Sequence, residues 1–566
     1  MITDRGAVTP LGAVLLAVAL GLALWLNLSR LGASSLEGDE AIYSFPARQA
    51  AVHGDWYPLL NRNGRLYYSK PPLIAWPMAL SFRLFGVSEW ADRLPSALAG
   101  AAVVGVVYGF AAWLLGPWTG LLAAALLATC RTWLFHHGVR DGVGEPLLCL
   151  SLMAALLLYL RYRSTGHRAW IGGAGAAAVV GGLVKGAIGP FYLGAITLVW
   201  EIVRTPLPRG GRQSPGSPMA PTSPGLTAPP LAPLASRLAA PAALTAAGLA
   251  AYAIWLADMG RRGLALKEYL YREVVQRNTV GLDPRHVHGL DFYPRVLGDS
   301  FGHWWPAILP AALYVWRGVR RPAASSGGGR SAGDLPGAPA AADRQAPDGA
   351  RSRALLMVAI WPLVVLAIIS SSASSLPWYL HPALPPLAIL LAAGCGEIAA
   401  WLARWRQRAG SAGSAGSAGS AGKGRSAALA PLAFALVLSV LVGLRAAYAW
   451  QKAQPAKVGQ MHRFVLAFRQ LPGAKLYLES PFPDHVQFRE WNYEYLSRLE
   501  DVARPLPPFL RQVAGCTFVI AEEPEQIAAR LHAAAWSAAP IERHSKEEAP
   551  LYIIDFCGGR VGRSLS

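Results

Sequence analysis

The chain has 566 residues, of which 53% are hydrophobic and only 15% are charged. Soluble domains carry about a quarter charged residues, and the apolar residues here lie in long runs, so a polytopic membrane protein is indicated and a soluble globule is excluded. The net charge of +19 does not point to nucleic acid: much of the arginine excess sits in short segments between apolar runs, as orientation bias requires, and the basic loops lack interleaved aromatics.

The N-terminus is basic, then apolar, without an obvious small-residue cleavage site, and is expected to be a retained first span. About eleven spans are expected, because about twenty apolar residues cross the hydrocarbon core. They are placed at 10–29, 94–114, 117–134, 145–161, 169–185, 187–203, 238–258, 302–317, 354–371, 377–401 and 426–447. Basic clusters test this count. Arg161, Arg163 and Arg168, then Arg204, Arg209 and Arg212, then Arg317, Arg320, Arg321, Arg351 and Arg353, then Arg404, Arg406, Arg408, Lys423 and Arg425 all fall on one side. That side is read as cytoplasmic, with the N-terminus. The loops carrying Asp39, Lys70, Glu145 and His286, and the C-terminal tail, are then expected on the outer face.

Three cytoplasmic stretches read as disordered linkers: 205–236 (Pro, Ser), 322–350 (Gly, Ala, Pro) and 405–425, with its Gly-Ser-Ala repeat. The expected fold is therefore mainly α, a transmembrane helical bundle over 1–449. A small soluble α/β domain over 450–566 follows. Strands are expected at Lys475–Glu479, Thr517–Ala521 and Leu551–Asp555, and an amphipathic helix at Glu525–Ala535. The five cysteines show no CxxC spacing. Cys516 and Cys557 are read either as a pair or as two buried thiols.

The chemistry-bearing residues lie in the outer loops. In the first, 30–93, Asp39 and Glu40 are adjacent and residues 40–52 look helical. Asp39 is placed to cap that helix, a role that needs no catalysis but would fix the carboxylate. Lys70 precedes Pro71 and Pro72, which stiffen the backbone. The apolar stretch 73–85 is short for a span and is expected to lie along the membrane surface. In the second outer loop, His136, His137, Arg140, Asp141 and Glu145 crowd the mouth of the fourth span. Neighbouring histidines rarely hold one ion together, so no metal site is expected, although metal dependence stays open. Arg140 suits bidentate phosphate contact, and Glu145 with Pro146 makes an ordinary helix start. Lys185 sits between two glycine-rich apolar segments, where a charge must reach water, phosphate or a carboxylate. The outer segment 259–301 is polar and aromatic, with no residue singled out by spacing.

These residues together resemble the GT-C superfamily of polytopic glycosyltransferases, in the branch of bacterial aminoarabinose transferases and protein O-mannosyltransferases. Asp39-Glu40 with Tyr43 is similar to the acidic motif of that family, and Tyr68-Ser69-Lys70-Pro71-Pro72-Leu73 to its Lys-Pro motif. Phe85-Gly86 through Arg93-Leu94-Pro95-Ser96, His137-Gly138-Val139-Arg140 to Glu145, and Gly182-Leu183-Val184-Lys185-Gly186 follow in the family's order. Tyr379-Leu380-His381-Pro382-Ala383-Leu384-Pro385-Pro386 resembles its late Tyr-x-x-Pro-x-x-Pro segment. Two departures stand out. Glu145 replaces the usual Asp, and no lysine precedes Tyr379.

The resemblance implies a bacterial plasma-membrane transferase that takes sugar from a polyprenyl-phosphate donor. Its acceptor would be an envelope lipid, glycan or protein, on the outer face, with membrane lipids around it and no nucleic acid or cofactor. Asp39 is then the leading base or acceptor-positioning group, with Glu40 and Glu145 as secondary acids. Lys70, Arg93, Arg140 and Lys185 would contact the donor phosphate. Tyr43, Tyr68, His137 and Tyr379 would line the pocket. A single displacement would invert the anomeric centre. The competing reading is a polyprenyl-lipid flippase or transporter, which would pair ionisable sites near the bilayer midplane.

Overall fold

A computed structural model describes residues 9–33, 36, 39–60, 66–204, 234–281, 286–320, 349–412 and 439–451, together with five strand segments between 475 and 555. The expected linkers 205–236 and 322–350 lie outside the described residues except at their ends, where 234–236 and 349–350 are helical; the first part of the last expected span, the helix at 525–535, and Cys516 and Cys557 also lie outside them.

Among the described residues, six helices are long and apolar enough to cross a membrane: Pro10–Leu28, Glu89–Leu115, Glu145–Thr165, Ser236–Arg261, Gly349–Ser370 and Pro377–Trp405. Shorter apolar helices run Pro72–Phe85, Pro117–Ala128 and Ile188–Val203. Three expected spans are broken, that at 377–401 by the 3-10 turn Pro377–Ala383 before its α-helix. The run at 117–134 stops at Ala128 and resumes as the short helix Arg131–Phe135. The run at 302–317 opens as a 3-10 turn, Gly302–Ala307, before its α-helix. Pro306 within that turn has no N–H to continue the α ladder. Residues 405–412, expected in a linker, instead continue the last long helix to Ala412.

The chain forms two compact units. The first comprises Met1–Leu26, Ala99–Gly138 and Gly144–Ala449, and the second Asn27–Leu98, Val139–Val143 and Trp450–Ser566.

In the first unit, α1 (Glu145–Thr165), α2 (Arg168–Lys185), α3 (Ile188–Val203) and α4 (Leu234–Arg261) pack together. Glycines let them approach closely. A Cβ on Gly182 would stand 2.4 Å from the Gly248 carbonyl oxygen, and one on Gly181 would meet the Ser151 hydroxyl at 3.2 Å. Small residues at such crossings let backbones touch inside a membrane, where packing and not water exclusion drives association. Trp133, Tyr159, Trp200 and Phe301 are fully buried in this unit.

In the second unit, α5 (Asp39–His53) packs on α6 (Ala75–Phe85). Leu36, Tyr43, Leu59, Tyr67, Met78 and Phe82 form their shared core. Leu80, Leu84 and Phe85 face outward from α6, the amphipathic pattern expected for a surface-lying segment. The same unit holds a mixed five-stranded sheet: β1 (Lys475–Glu479), β2 (Arg504–Pro505), β3 (Thr517–Ala521), β4 (Ser537–Ile541) and β5 (Leu551–Asp555), in the order β2-β1-β3-β5-β4. β1 and β3 are parallel, with Leu476 opposite Phe518. β3 and β5 are antiparallel, with Ile520 opposite Ile553. β1, β3 and β5 coincide with the three strands read from the sequence; β2 and β4 carry prolines and were not anticipated.

Candidate active-site residues

The sequence-derived site residues fall in two groups, one in each unit. In the second unit, α5 begins at Asp39, so both acids of the Asp39-Glu40 pair stand in its first turn, where the helix dipole favours negative charge. Tyr43, one turn on, donates its hydroxyl to Asp39 Oδ2 at 3.0 Å. The two acids have different surroundings. Glu40 is buried and takes both arms of Arg93, Nε to Oε1 at 2.8 Å and Nη2 to Oε2 at 2.9 Å. The Gly142 amide adds a third bond to Oε1 at 2.6 Å. Such bidentate, charge-assisted pairing holds a carboxylate in one geometry.

Arg93 lies in the first turns of the helix Glu89–Leu115, and its remaining arm donates to the Leu31 carbonyl at 2.9 Å. Ser96, one turn further along the same face, donates to Val143 O at 2.6 Å and accepts from Val143 N at 3.2 Å. The Arg-Leu-Pro-Ser stretch therefore ties three segments together: the loop after the first helix, α5, and residues 139–143. Asp92 is fully buried beside them. A Cβ on Gly142 would come 1.8 Å from Asp92 Oδ2, so only glycine fits there.

Arg140 donates to the carbonyls of Ser29 at 2.8 Å and Asn27 at 3.3 Å, cations being favoured where a helix ends. Burial pushes its pKa down to about 10, with Arg93 adding to the shift; the group stays protonated at neutral pH. Lys70 is half-buried in the turn before Pro71. Tyr68 is 46% exposed, whereas Tyr67 is 2% exposed. The Tyr67 phenol, whose pKa burial raises, lies in the field of Asp39 and beside Ser69 and the Lys70 backbone. Tyr67, which the sequence reading did not single out, is part of the core shared by α5 and α6.

In the first unit, Glu145 opens α1 with Pro146 behind it, as its sequence suggested. It is buried and accepts from the Lys185 ammonium at the end of α2. The carboxylate is the partner that a lysine between glycine-rich apolar segments requires. His137 adopts the left-handed backbone region at φ 48°. Its ring stacks on Trp378, with centroids 3.8 Å apart and planes 11° from parallel. His137 and His381 both lie in the field of Glu145. His381 is fully buried, with Nε2 3.0 Å from the Thr132 carbonyl oxygen. Tyr379 accepts from Arg277 Nη1 at 3.1 Å, and Arg277 also donates to Glu273 at 3.0 Å. Arg277 follows a π-helical turn, Tyr271–Gln276, a geometry frequent at functional positions.

The sequence-derived residues thus fall into Asp39, Glu40, Tyr43, Tyr68, Lys70, Arg93 and Arg140 in one unit, and His137, Glu145, Lys185 and Tyr379 in the other. His381, Trp378 and Arg277 were passed over. His381 stands inside the quoted late segment, Trp378 immediately before it, and Arg277 in an outer loop where no spacing marks it. Among the described residues, no group of three His, Cys, Asp or Glu could hold a metal ion.

A sequence model for a family described as dolichyl-phosphate-mannose-protein mannosyltransferase matches residues 69–211. No curated protein sequence matches the chain. Among solved structures, ArnT from Cupriavidus metallidurans bound to undecaprenyl phosphate is similar, with a TM-score of 0.61 at 18% identity, covering 97% of this chain and 98% of that one. Its apo state gives 0.58 at 17% identity, covering 96% and 98%. The archaeal oligosaccharyltransferase AglB from Archaeoglobus fulgidus, in complex with an inhibitory peptide and a dolichol-phosphate, gives 0.52 at 12% identity, covering 92% of this chain and 70% of that one. At these identities the likeness is one of fold.

Proposed function

We propose that this chain, which has the GT-C glycosyltransferase fold found in ArnT, moves a sugar from a polyprenyl-phosphate donor to an envelope lipid, glycan or protein on the outer face of the plasma membrane. The observation that carries this reading is the division of labour among the acids. Glu40 is gripped by the buried Arg93 guanidinium and Glu145 by the half-buried Lys185 ammonium, and Asp39, heading the same helix as Glu40, carries the Tyr43 hydroxyl on Oδ2. A carboxylate already gripped by a guanidinium and an amide is a poor base, because its lone pairs are engaged and its anion is stabilised. Asp39 is assigned as the base or acceptor-orienting group because it heads the helix that the Glu40–Arg93 clamp holds in place.

The chemistry follows from these roles. The acceptor oxygen attacks the anomeric carbon and gives its proton to Asp39. The bond from that carbon to the phosphate oxygen breaks, and its electron pair leaves with the polyprenyl phosphate. Lys70, half-buried after Tyr67, is the leading cation for the charge that builds on the leaving group. A single displacement inverts the anomeric centre. An acceptor that is already a phosphate needs no deprotonation, and Asp39 would then only orient it. The undecaprenyl phosphate bound to ArnT and the dolichol-phosphate bound to AglB support a polyprenyl-phosphate donor class.

The test is turnover by the purified full chain in lipid bilayers, with polyprenyl-phosphate-linked pentose, aminopentose and hexose as donors. Release of polyprenyl phosphate coupled to acceptor glycosylation supports the reading. Movement of these lipids across the bilayer without any transfer would overturn it. Mass spectrometry of envelope lipids and glycoproteins from a deletion strain identifies the acceptor.

A further inference from the structure

The segment that follows α4 in the first unit has its polarity reversed for a helix in water. Leu266–Leu270, Tyr271–Gln276 and Arg277–Thr279 form one unbroken run of helical turns. Tyr269, Glu273, Gln276 and Arg277 recur three and four positions apart on one side of it, and all four are half-buried. The hydroxyls of Tyr269 and Tyr252 lie 3.4 Å apart, and Arg277 donates to Tyr379 at 3.1 Å and to Glu273 at 3.0 Å. Leu270, Tyr271, Val274 and Val275 lie on the other side and are 40–60% exposed. A surface helix normally turns its apolar stripe to the core and its polar residues outward. Here the inward stripe is polar and the outward face is apolar.

Both ends of this helix are tied to the ends of membrane-spanning helices. α4 stops at Arg261, Gly263 turns the chain at φ 107°, and the Leu264 amide donates back to the Met259 carbonyl at 3.0 Å. Leu266 then lies on the last turns of α4, where a Cβ on Gly260 would stand 2.6 Å from its Cδ1. Tyr252, the neighbour of Tyr269, sits about 13 Å of helix before Arg261, so the segment folds back along the span. At the far end the Asn278 carbonyl accepts from the Ala373 amide at 3.0 Å, just beyond the spanning helix Gly349–Ser370. A helix pinned at both ends in this way lies along the bilayer surface, and its outward face meets lipid. The exposed residues Lys267, Glu268 and Arg272 flank the apolar face, with the two cations long enough to reach phospholipid headgroups. Tyr271 is of a type enriched at that depth.

We propose that Leu266–Thr279 is a membrane-docking helix, whose residues Leu270, Tyr271, Val274 and Val275 sit in the headgroup–acyl boundary of the leaflet at which α4 ends, with phospholipid as their partner. An apolar helical face of this kind inserts a few ångströms below the headgroups. The inference is independent of the glycosyl-transfer reading.

The test uses the purified full chain in vesicles of phosphatidylcholine and phosphatidylglycerol. A nitroxide is attached at Tyr271→Cys, at Val275→Cys or at Arg295→Cys, and the unsubstituted chain treated with the same label gives the background from native cysteines. Arg295 is the control, because its side chain is 70% exposed on the helix Phe292–Phe301 and paired to Asp291. Collisions with oxygen are expected to dominate at 271 and 275, and collisions with a water-soluble nickel complex at 295. Nickel-dominated collisions at 271 and 275 would place the face in water and overturn the proposal. Shielding of both positions from both reagents would mean that protein, a second copy or another partner, covers the face, and would overturn it equally. Where a labelled variant fails to fold, the unsubstituted chain is irradiated in vesicles whose lipids carry diazirines along the acyl chain. Lipid adducts are expected on the peptide holding 270–275, as on Ile254 of α4, which is itself exposed. Adducts at Ile254 with none at 270–275 would contradict the docking.

Discussion

Arg93 grips Glu40 with two parallel hydrogen bonds of 2.8 and 2.9 Å across 53 positions of sequence. Both side chains are nearly enclosed, at 4% and 9% exposure. Breaking such a pair leaves one buried charge uncompensated, at a cost of ~3–5 kcal/mol. Glu40→Gln and Arg93→Met are each expected to lower the thermal unfolding midpoint strongly. The double variant Glu40→Leu with Arg93→Met is expected to lose less than the sum of the singles. Additive losses, measured by unfolding in detergent, would mean the two residues do not act as a unit.

Gly142 makes a second kind of prediction, steric instead of electrostatic. Its missing Cβ would lie 1.8 Å from Asp92 Oδ2, so Gly142→Ala must push the carboxylate or the loop aside. Overpacking of this kind costs ~1–3 kcal/mol. Asp92→Ala in the same chain should restore the space, and with it part of the unfolding midpoint lost by Gly142→Ala alone. No recovery would place the strain elsewhere.

Lys185 and Glu145 repeat the buried-pair logic in the other unit, with side chains 20% and 6% exposed. Lys185→Met strands a buried carboxylate and is expected to destabilise by ~3–5 kcal/mol, while Lys185→Met with Glu145→Gln is expected to recover part of that loss. Equal midpoints for the single and double variants would contradict the pairing.

Glu201 is the control. It is fully buried near the far end of α1, accepts from Tyr159 at 2.5 Å and Arg204 Nε at 2.7 Å, and forms an ion pair with the Arg163 guanidinium at 3.1 Å. α1 has 21 residues, about 30 Å of helix, so Glu145 and this network sit near opposite ends of one element. Glu201→Gln should lower stability yet leave the KM for donor unchanged in the fraction that folds. A raised KM with normal stability would mean the network bears on the substrate site.

The legible and the hidden parts of this protein separate by range. Local signals held: the helix heading at Asp39, the Glu145-Pro146 start, the amphipathic 73–85 stretch and three β-strands each follow from a few adjacent residues. Lys185 could be flagged because a charge among glycines and apolar residues needs a partner, but Glu145, 40 positions away, became its partner only through the glycine contacts that bring α1, α2 and α4 together. Glu40 and Arg93 were read separately, one as an acid and one as a phosphate contact, because nothing local announces a bond across 53 positions. Tyr67 and Tyr68 are adjacent and chemically alike, so only the fold separates the 2% exposed one from the 46% exposed one. His381 was invisible for a different reason: it lies in an apolar, proline-rich run, and its complete burial is a property of three-dimensional surroundings.

The most direct measurement is the rate of sugar transfer by Asp39→Asn in bilayers, beside a check that the variant unfolds at the wild-type temperature. Asparagine keeps the shape and can still accept from Tyr43, but it cannot take a proton. A fall of about 100-fold or more in kcat, with donor binding intact, is the result expected of a lost general base. Wild-type turnover from a fully folded Asp39→Asn protein would contradict the assignment of Asp39 and the account built on it.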